Sequence, residues 1–178
     1  MEERILIAGF GGQGVQSMGQ MLCHAAMSEG KNVSWLPSYG PEMRGGTTNC
    51  SVILSDEPVG SPLVTQATCA MVLNLPSLDK FENSVAPGKL LLINQSLIAR
   101  KTAREDVEVI YIPCNELAME LGNTRVGNMI MLGAYIAKTG VCSIQAILHA
   151  LPHVLGPGKE KLVPINQKAL EKGATLVG

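Results

Sequence analysis

No stretch of this chain is strongly basic, strongly acidic or long and apolar. Lys and Arg number 14 against 15 Asp and Glu, a formal net charge of −1. No run of like charges occurs, so the basic face that nucleic-acid binding requires is missing. No apolar run reaches the roughly 18–20 residues that cross a bilayer. The opening Met1-Glu-Glu-Arg leads straight into a strand pattern, without the basic start and apolar middle of an export signal. These absences predict a cytoplasmic protein with neither nucleic-acid nor membrane partners. C-x-x-C is also missing. The five cysteines (23, 50, 69, 114 and 142) are odd in number and widely spaced, which reads as small buried thiols in a reducing compartment. There is no G-x-S-x-G, no G-x-x-x-x-G-K-[ST] and no H-E-x-x-H. His149 and His153 lie four apart on an expected helix, but Pro152 falls between them and no glutamate accompanies them. A metal site is not expected there.

What is present is a globular composition. With 178 residues, 46% of them apolar, the chain can bury one full core, and a single domain over residues 1–178 is expected. It opens on an apolar run at 5–8 followed by Gly9, Gly11, Gly12 and Gly14, then a helical pattern through Val15, Met18, Leu22 and Ala26. Strand, glycine turn and helix begin a βαβ unit, whose bare N–H groups and helix N-terminus suit an anion. Gly9, Gly11 and Gly14 satisfy G-x-G-x-x-G. The strand expected at 32–36 ends Trp35-Leu36-Pro37-Ser38, without the acid that a dinucleotide ribose would need.

Residues 37–46, Pro-Ser-Tyr-Gly-Pro-Glu-Met-Arg-Gly-Gly, hold three glycines and two prolines and read as a shaped loop. Further strands are expected at 47–55, 70–75, 89–94 and 107–113, with a shorter extended piece at 59–64 pairing with 47–55 as a hairpin. Pro87-Gly88 reads as a turn, and charged residues 101–106 as a solvent-facing crossover. Helices are expected at 77–81, 115–121, 128–138, 143–155 and 164–172. The fold class is therefore α/β: a three-layer, mostly parallel, Rossmann-like sheet with an inserted β-hairpin and helices on both faces. Gln13, Ser38, Tyr39, Glu42, Arg44 and Asn49 form a binding repertoire more than a catalytic one. Arg44 before Gly45-Gly46 suits a phosphate or carboxylate, or an acid on a partner.

Taken together, Gly11-Gly-Gln-Gly14, the 37–46 segment, Asn49-Cys-Ser-Val-Ile-Leu-Ser-Asp56, Gly60-Ser-Pro62, Asn74-Leu-Pro-Ser-Leu-Asp-Lys-Phe81 and Asn94-Gln-Ser-Leu-Ile98 resemble the gamma subunit of 2-oxoacid:ferredoxin oxidoreductases. The similarity runs from about residue 4 to residue 140. It implies a subunit of a complex that decarboxylates a 2-oxoacid oxidatively to an acyl-CoA and reduces ferredoxin. Thiamine diphosphate, iron–sulfur clusters and coenzyme A would then serve the complex, with none assigned to this chain alone. The implied partners are alpha and beta subunits, and ferredoxin or a ferredoxin-like subunit. The Ser-Tyr-Gly-Pro-Glu-x-Arg-Gly-Gly form is similar to 2-oxoglutarate and branched-chain members, and 2-oxoglutarate is the expected acid. The glycine turn and the 37–46 loop are expected to share one sheet edge lining the coenzyme A approach. Candidate binding residues are Gly9, Gly11, Gly12, Gln13, Gly14, Ser38, Tyr39, Glu42, Arg44, Gly45 and Gly46, with no catalytic or metal-ligating residue. A free-standing dinucleotide-binding oxidoreductase and a non-catalytic scaffold subunit stay open beside this reading.

Overall fold

Six strands form one sheet: β1 (Glu2–Phe10), β2 (Asn32–Tyr39), β3 (Thr47–Ser55), β4 (Ala67–Val72), β5 (Val85–Asn94) and β6 (Glu108–Ile112). The computed structural model describes residues 1–39 and 46–177, the side chain of Tyr39 excepted. Strand order is β2-β3-β1-β4-β5-β6. β4 is parallel to β1, β5 to β4 and β6 to β5. β3 runs antiparallel to both β1 and β2, so β2 points the same way as β1 and only β3 is reversed.

The helices are α1 (Val15–Ser28), α2 (Leu75–Phe81), α3 (Cys114–Glu120), α4 (Gly127–Thr139), α5 (Ile144–Leu155) and α6 (Val163–Ala174). Five of them, all but α2, contribute to one core against one sheet face, where Met18, Leu22, Met129, Leu132 and Tyr135 are fully buried. Each such side chain contributes about 1.5–3 kcal/mol through burial. Among the described residues α2 is the one α-helix on the opposite face, where Leu78 packs with Leu6, Val72, Leu91 and Ile93. The three layers are therefore unequal. All five cysteines are free and buried, as their spacing predicts.

Three local expectations change. Pro37, Ser38 and Tyr39, predicted to open a loop, continue β2 opposite Cys50, Asn49 and Thr48. β2 is an outer strand, and an edge tolerates a proline that cannot donate to the ladder. The hairpin is formed by β2 and β3; residues 59–64 lie outside the sheet. Pro87-Gly88 falls inside β5, where pairing jumps from Ala67–Val85 to Cys69–Leu90. A bulge with Gly88 at φ 74° absorbs the extra residues.

The 101–106 crossover faces solvent but is pinned. Arg100 contacts Glu82 at 2.9 Å and Asp79 at 2.5 Å. The Thr102 hydroxyl donates to Glu82 at 2.7 Å, and Arg104 donates to the carbonyls of Glu82 and Val85 at 2.7 and 2.9 Å. Burial works to raise the Glu82 pKa, but the hydrogen bonds from Arg100 and Thr102 outweigh it and hold the carboxyl below its ordinary 4.5. A lowered folded-state pKa contributes stability that is complete above the unfolded value and is lost as pH falls through the folded value. The urea midpoint is thus expected to fall between about pH 5 and pH 3, and to fall less steeply in Glu82→Gln. An identical pH slope in that variant would remove Glu82 as a source of the acid sensitivity.

Candidate functional site

The glycine turn sits where its residue types predict. β1 ends at Phe10, Gly12 takes φ 92°, and Gly14 takes φ 77° as the residue before α1. Both angles lie in the left-handed region that glycine adopts without strain. Gln13 is occupied by the turn itself. Its Oε1 accepts from the Phe10 N–H at 2.6 Å, and its Nε2 donates to the Leu73 carbonyl at 3.4 Å. Gly11 N–H donates to the Gly46 carbonyl at 3.1 Å, so the turn touches the last residue of the 37–46 segment. Ser38 is exposed on the outer strand, two strands away from β1 and hence about 10 Å from the turn. Glu42, Arg44 and Gly45 lie outside the described residues.

A cleft of about 150 Å³ opens beside the turn, lined by Gly12, Gln13, Leu73, Asn94, Cys114, Asn115, Thr124, Arg125, Gly127 and Asn128. Its position follows from chain direction. β1 and β6 lead into α1 and α3 on the five-helix face, whereas β4 leads into α2, and β5 into Ile98, on the other. Neighbouring strands whose connections part to opposite faces leave a crevice above their carboxyl ends, the place where open α/β sheets hold ligands.

The lining is rich in donors and, among the described residues, carries no carboxylate. α1 and α4 both begin there, each without a side-chain cap and without an acid in its first turn. The dipoles of α1, and of α4 with the 3-10 turn Thr124–Val126 that leads into it, add positive potential at one point. Asn94 is buried, and its Nδ2 donates to the Leu73 carbonyl at 3.2 Å and to Asn115 Oδ1 at 3.1 Å. That bond orients Asn115 with its own Nδ2 outward. Asn128 packs so closely on Gly14 that a Cβ there would meet Asn128 Nδ2 at 2.3 Å. Among the described residues, Arg125 makes no ion pair and Asn115 Nδ2 and Asn128 Nδ2 have no protein partner. Burial pushes the Cys114 thiol up to about 12, so it stays protonated and unreactive. The arrangement is equipped to hold an anion.

A nicotinamide dinucleotide fits poorly. In dinucleotide-binding sheets the strand next to the first carries the ribose-binding acid. Here β3 separates β2 from β1, and β2, Asn-Val-Ser-Trp-Leu-Pro-Ser-Tyr, has no acid at all. Asn94, Asn115, Arg125 and Asn128 were not apparent as site residues from sequence. Their one signal was position, since Asn94 and Asn115 sit at or just past the carboxyl ends of parallel strands.

A family model described as pyruvate ferredoxin/flavodoxin oxidoreductase matches residues 4–176. The chain belongs to this family. Among its relatives, a ketoisovalerate oxidoreductase subunit VorA from Methanothermobacter marburgensis is 43% identical over 175 residues, 97% of this chain and 36% of the relative. A 2-oxoglutarate synthase subunit KorC from Methanocaldococcus jannaschii is 32% identical over 176 residues, 97% of this chain and 92% of the relative. The chain thus spans little more than a third of the first relative and nearly all of the second. The keto/oxoacid ferredoxin oxidoreductase gamma subunit of Geobacter sulfurreducens superposes with a TM-score of 0.87 at 30% identity, covering 99% of this chain and 97% of that one. The same fold, at TM-score 0.90 and 23% identity, makes up 31% of a chain of the 2-oxoglutarate:ferredoxin oxidoreductase from Magnetococcus marinus, solved with 2-oxoglutarate, coenzyme A and succinyl-CoA bound.

Proposed function

We propose that this chain is the gamma-type subunit of a 2-oxoacid:ferredoxin oxidoreductase, and that its cleft receives the phosphate-bearing end of coenzyme A. The observation that carries the first part is the end-to-end match to a gamma subunit, with 99% of this chain and 97% of that one superposed. The second part rests on the donor set. Two uncapped helix starts, Arg125, Asn115 and Asn128 surround a space of about 150 Å³. That is below the 300–1,000 Å³ of a pocket that encloses a whole drug-sized ligand. The cleft therefore fits one anionic group, and the remainder of the ligand would lie against partner subunits. Thiamine diphosphate and iron–sulfur clusters are assigned in this reading to those partners.

Ketoisovalerate and 2-oxoglutarate relatives both match, the former at higher identity. The branched-chain acid therefore joins the expected 2-oxoglutarate as a substrate to assay. The test is co-expression of the tagged chain with alpha- and beta-type chains of the same source. The expected product is a brown complex containing thiamine diphosphate that reduces ferredoxin with one of the two acids and coenzyme A. A colourless chain that retains no partner, and binds NAD saturably by itself, would overturn the proposal. Arg44→Ala belongs in the same assay, and unchanged assembly with an unchanged KM for coenzyme A would remove Arg44 from the site.

A further inference from the structure

One cluster of ligand-type side chains is left unused by the oxidoreductase reading. All three histidines of the chain line a second cleft, about 210 Å³ in volume, on the outer side of the α1–α5 pair. His24 comes from α1, and His149 and His153 from α5. The rings of His24 and His153 lie 6.2 Å apart between centroids and 21° from parallel. Pro152 was expected to spoil the spacing of the other two. α5 nevertheless runs through it without a break from Ile144 to Leu155, and Gly156 N–H bonds to the Pro152 carbonyl at 3.0 Å. His149 and His153 therefore stand one turn apart on one helix face, with Cβ atoms about 5–6 Å apart.

We propose that this cleft binds a divalent first-row transition ion of the Zn²⁺ or Ni²⁺ class through His24, His149 and His153. Two imidazoles at i and i+4 on a helix form a recurring chelate for such ions, and imidazole nitrogen is a ligand that suits them. The third ligand comes from the neighbouring helix, so the bound ion would tie α1 to α5. Ala146 and Ala150 line the floor, and their small side chains leave room for the rings. Among the described residues no lysine or arginine lines the cleft to repel a cation. Among the described residues no three ligand groups already stand at metal-binding spacing. The rings face each other and must turn to bring nitrogen edges to a common point. All three side chains are exposed, so that rotation meets little packing.

The test is calorimetric titration of the tag-free chain with ZnCl₂ at about pH 7.5, followed by thermal unfolding with and without the ion. One ion per chain and a raised Tm are expected. Affinity should fall about tenfold or more in both His24→Ala and His149→Ala, since losing even an outer partner of a metal ligand costs about 10–100-fold. Circular dichroism checks that these surface variants fold. Absence of saturable one-to-one binding would overturn the proposal. So would binding that survives His24→Ala unchanged, because the ion would then sit on α5 alone or elsewhere. None of these outcomes depends on the oxidoreductase reading.

Discussion

Gly133→Ala in α4 is expected to lower stability by about 3 kcal/mol, the upper part of the range for overpacked cores. The sign is the informative part. In an exposed helix interior the same change stabilises by about 0.5–1 kcal/mol. Here a Cβ on Gly133 would lie 2.0 Å from the Leu170 carbonyl oxygen and 2.8 Å from its carbon. The relation is reciprocal, because a Cβ on Gly173 in α6 would lie 1.9 Å from the Ile130 carbonyl oxygen. Both obstacles are backbone, so no side chain can swing aside and the helices must move apart by more than about 1 Å. Separation would loosen Ile130, Ala169 and Leu170, all fully buried. For a chain of this length the loss corresponds to a fall in Tm of about 6–12 °C, readable by calorimetry or circular dichroism. Gly173→Ala should behave alike. The double variant should lose less than the sum, since the first substitution already opens the gap that the second needs. A Tm unchanged or raised in Gly133→Ala would show that α4 and α6 can separate freely.

Segments were more legible than their neighbours. Residues 47–55 were readable to the residue as β3 because β-branched and apolar side chains run there without glycine or proline. α1 was readable because a 3.6-residue apolar period follows a glycine turn. Strand pairing carries no such local mark. Residues 59–64 looked extended, yet Pro58, Gly60 and Pro62 deny that piece a ladder, and β3 found its hairpin partner in β2. The insertion of β3 between β1 and β2 decides against a dinucleotide site more firmly than the missing acid does, and it was invisible before the strand order was known. The cleft divides in the same way. Its glycine half announces itself because left-handed backbone and close approach demand glycine at fixed spacing. Asn94, Asn115, Arg125 and Asn128 carry no motif among them, and only the parting of chain paths between β1 and β4 and between β5 and β6 brings them opposite Gly12.

Arg125→Ala in the assembled complex is expected to raise the KM for coenzyme A by about ten- to a hundredfold. A hydrogen bond to a charged group is worth about 1.5–3 kcal/mol, and each 1.4 kcal/mol is a tenfold change. The residue suits the task because, among the described residues, nothing engages its side chain. It is exposed, makes no ion pair among the described residues, and stands at the mouth of a cleft without a carboxylate. Asn123 fixes the backbone that presents it, its Oδ1 accepting from the Arg125 N–H at 3.0 Å. Fold stability should change by less than about 0.5 kcal/mol, as at other surface positions, so the kinetic effect is separable from a folding defect. A contact made equally to bound coenzyme A and to the transition state alters KM and leaves kcat near its starting value. The KM for the 2-oxoacid should stay constant, since the thiamine diphosphate that acts on it is assigned to partner subunits. Added salt should weaken coenzyme A binding more in the parent than in Arg125→Ala, because the parent has one more charge pair to screen. If the KM for coenzyme A and its salt dependence are both unmoved, the phosphates do not reach this cleft, and the two helix starts hold some other anion or face a partner subunit's acid.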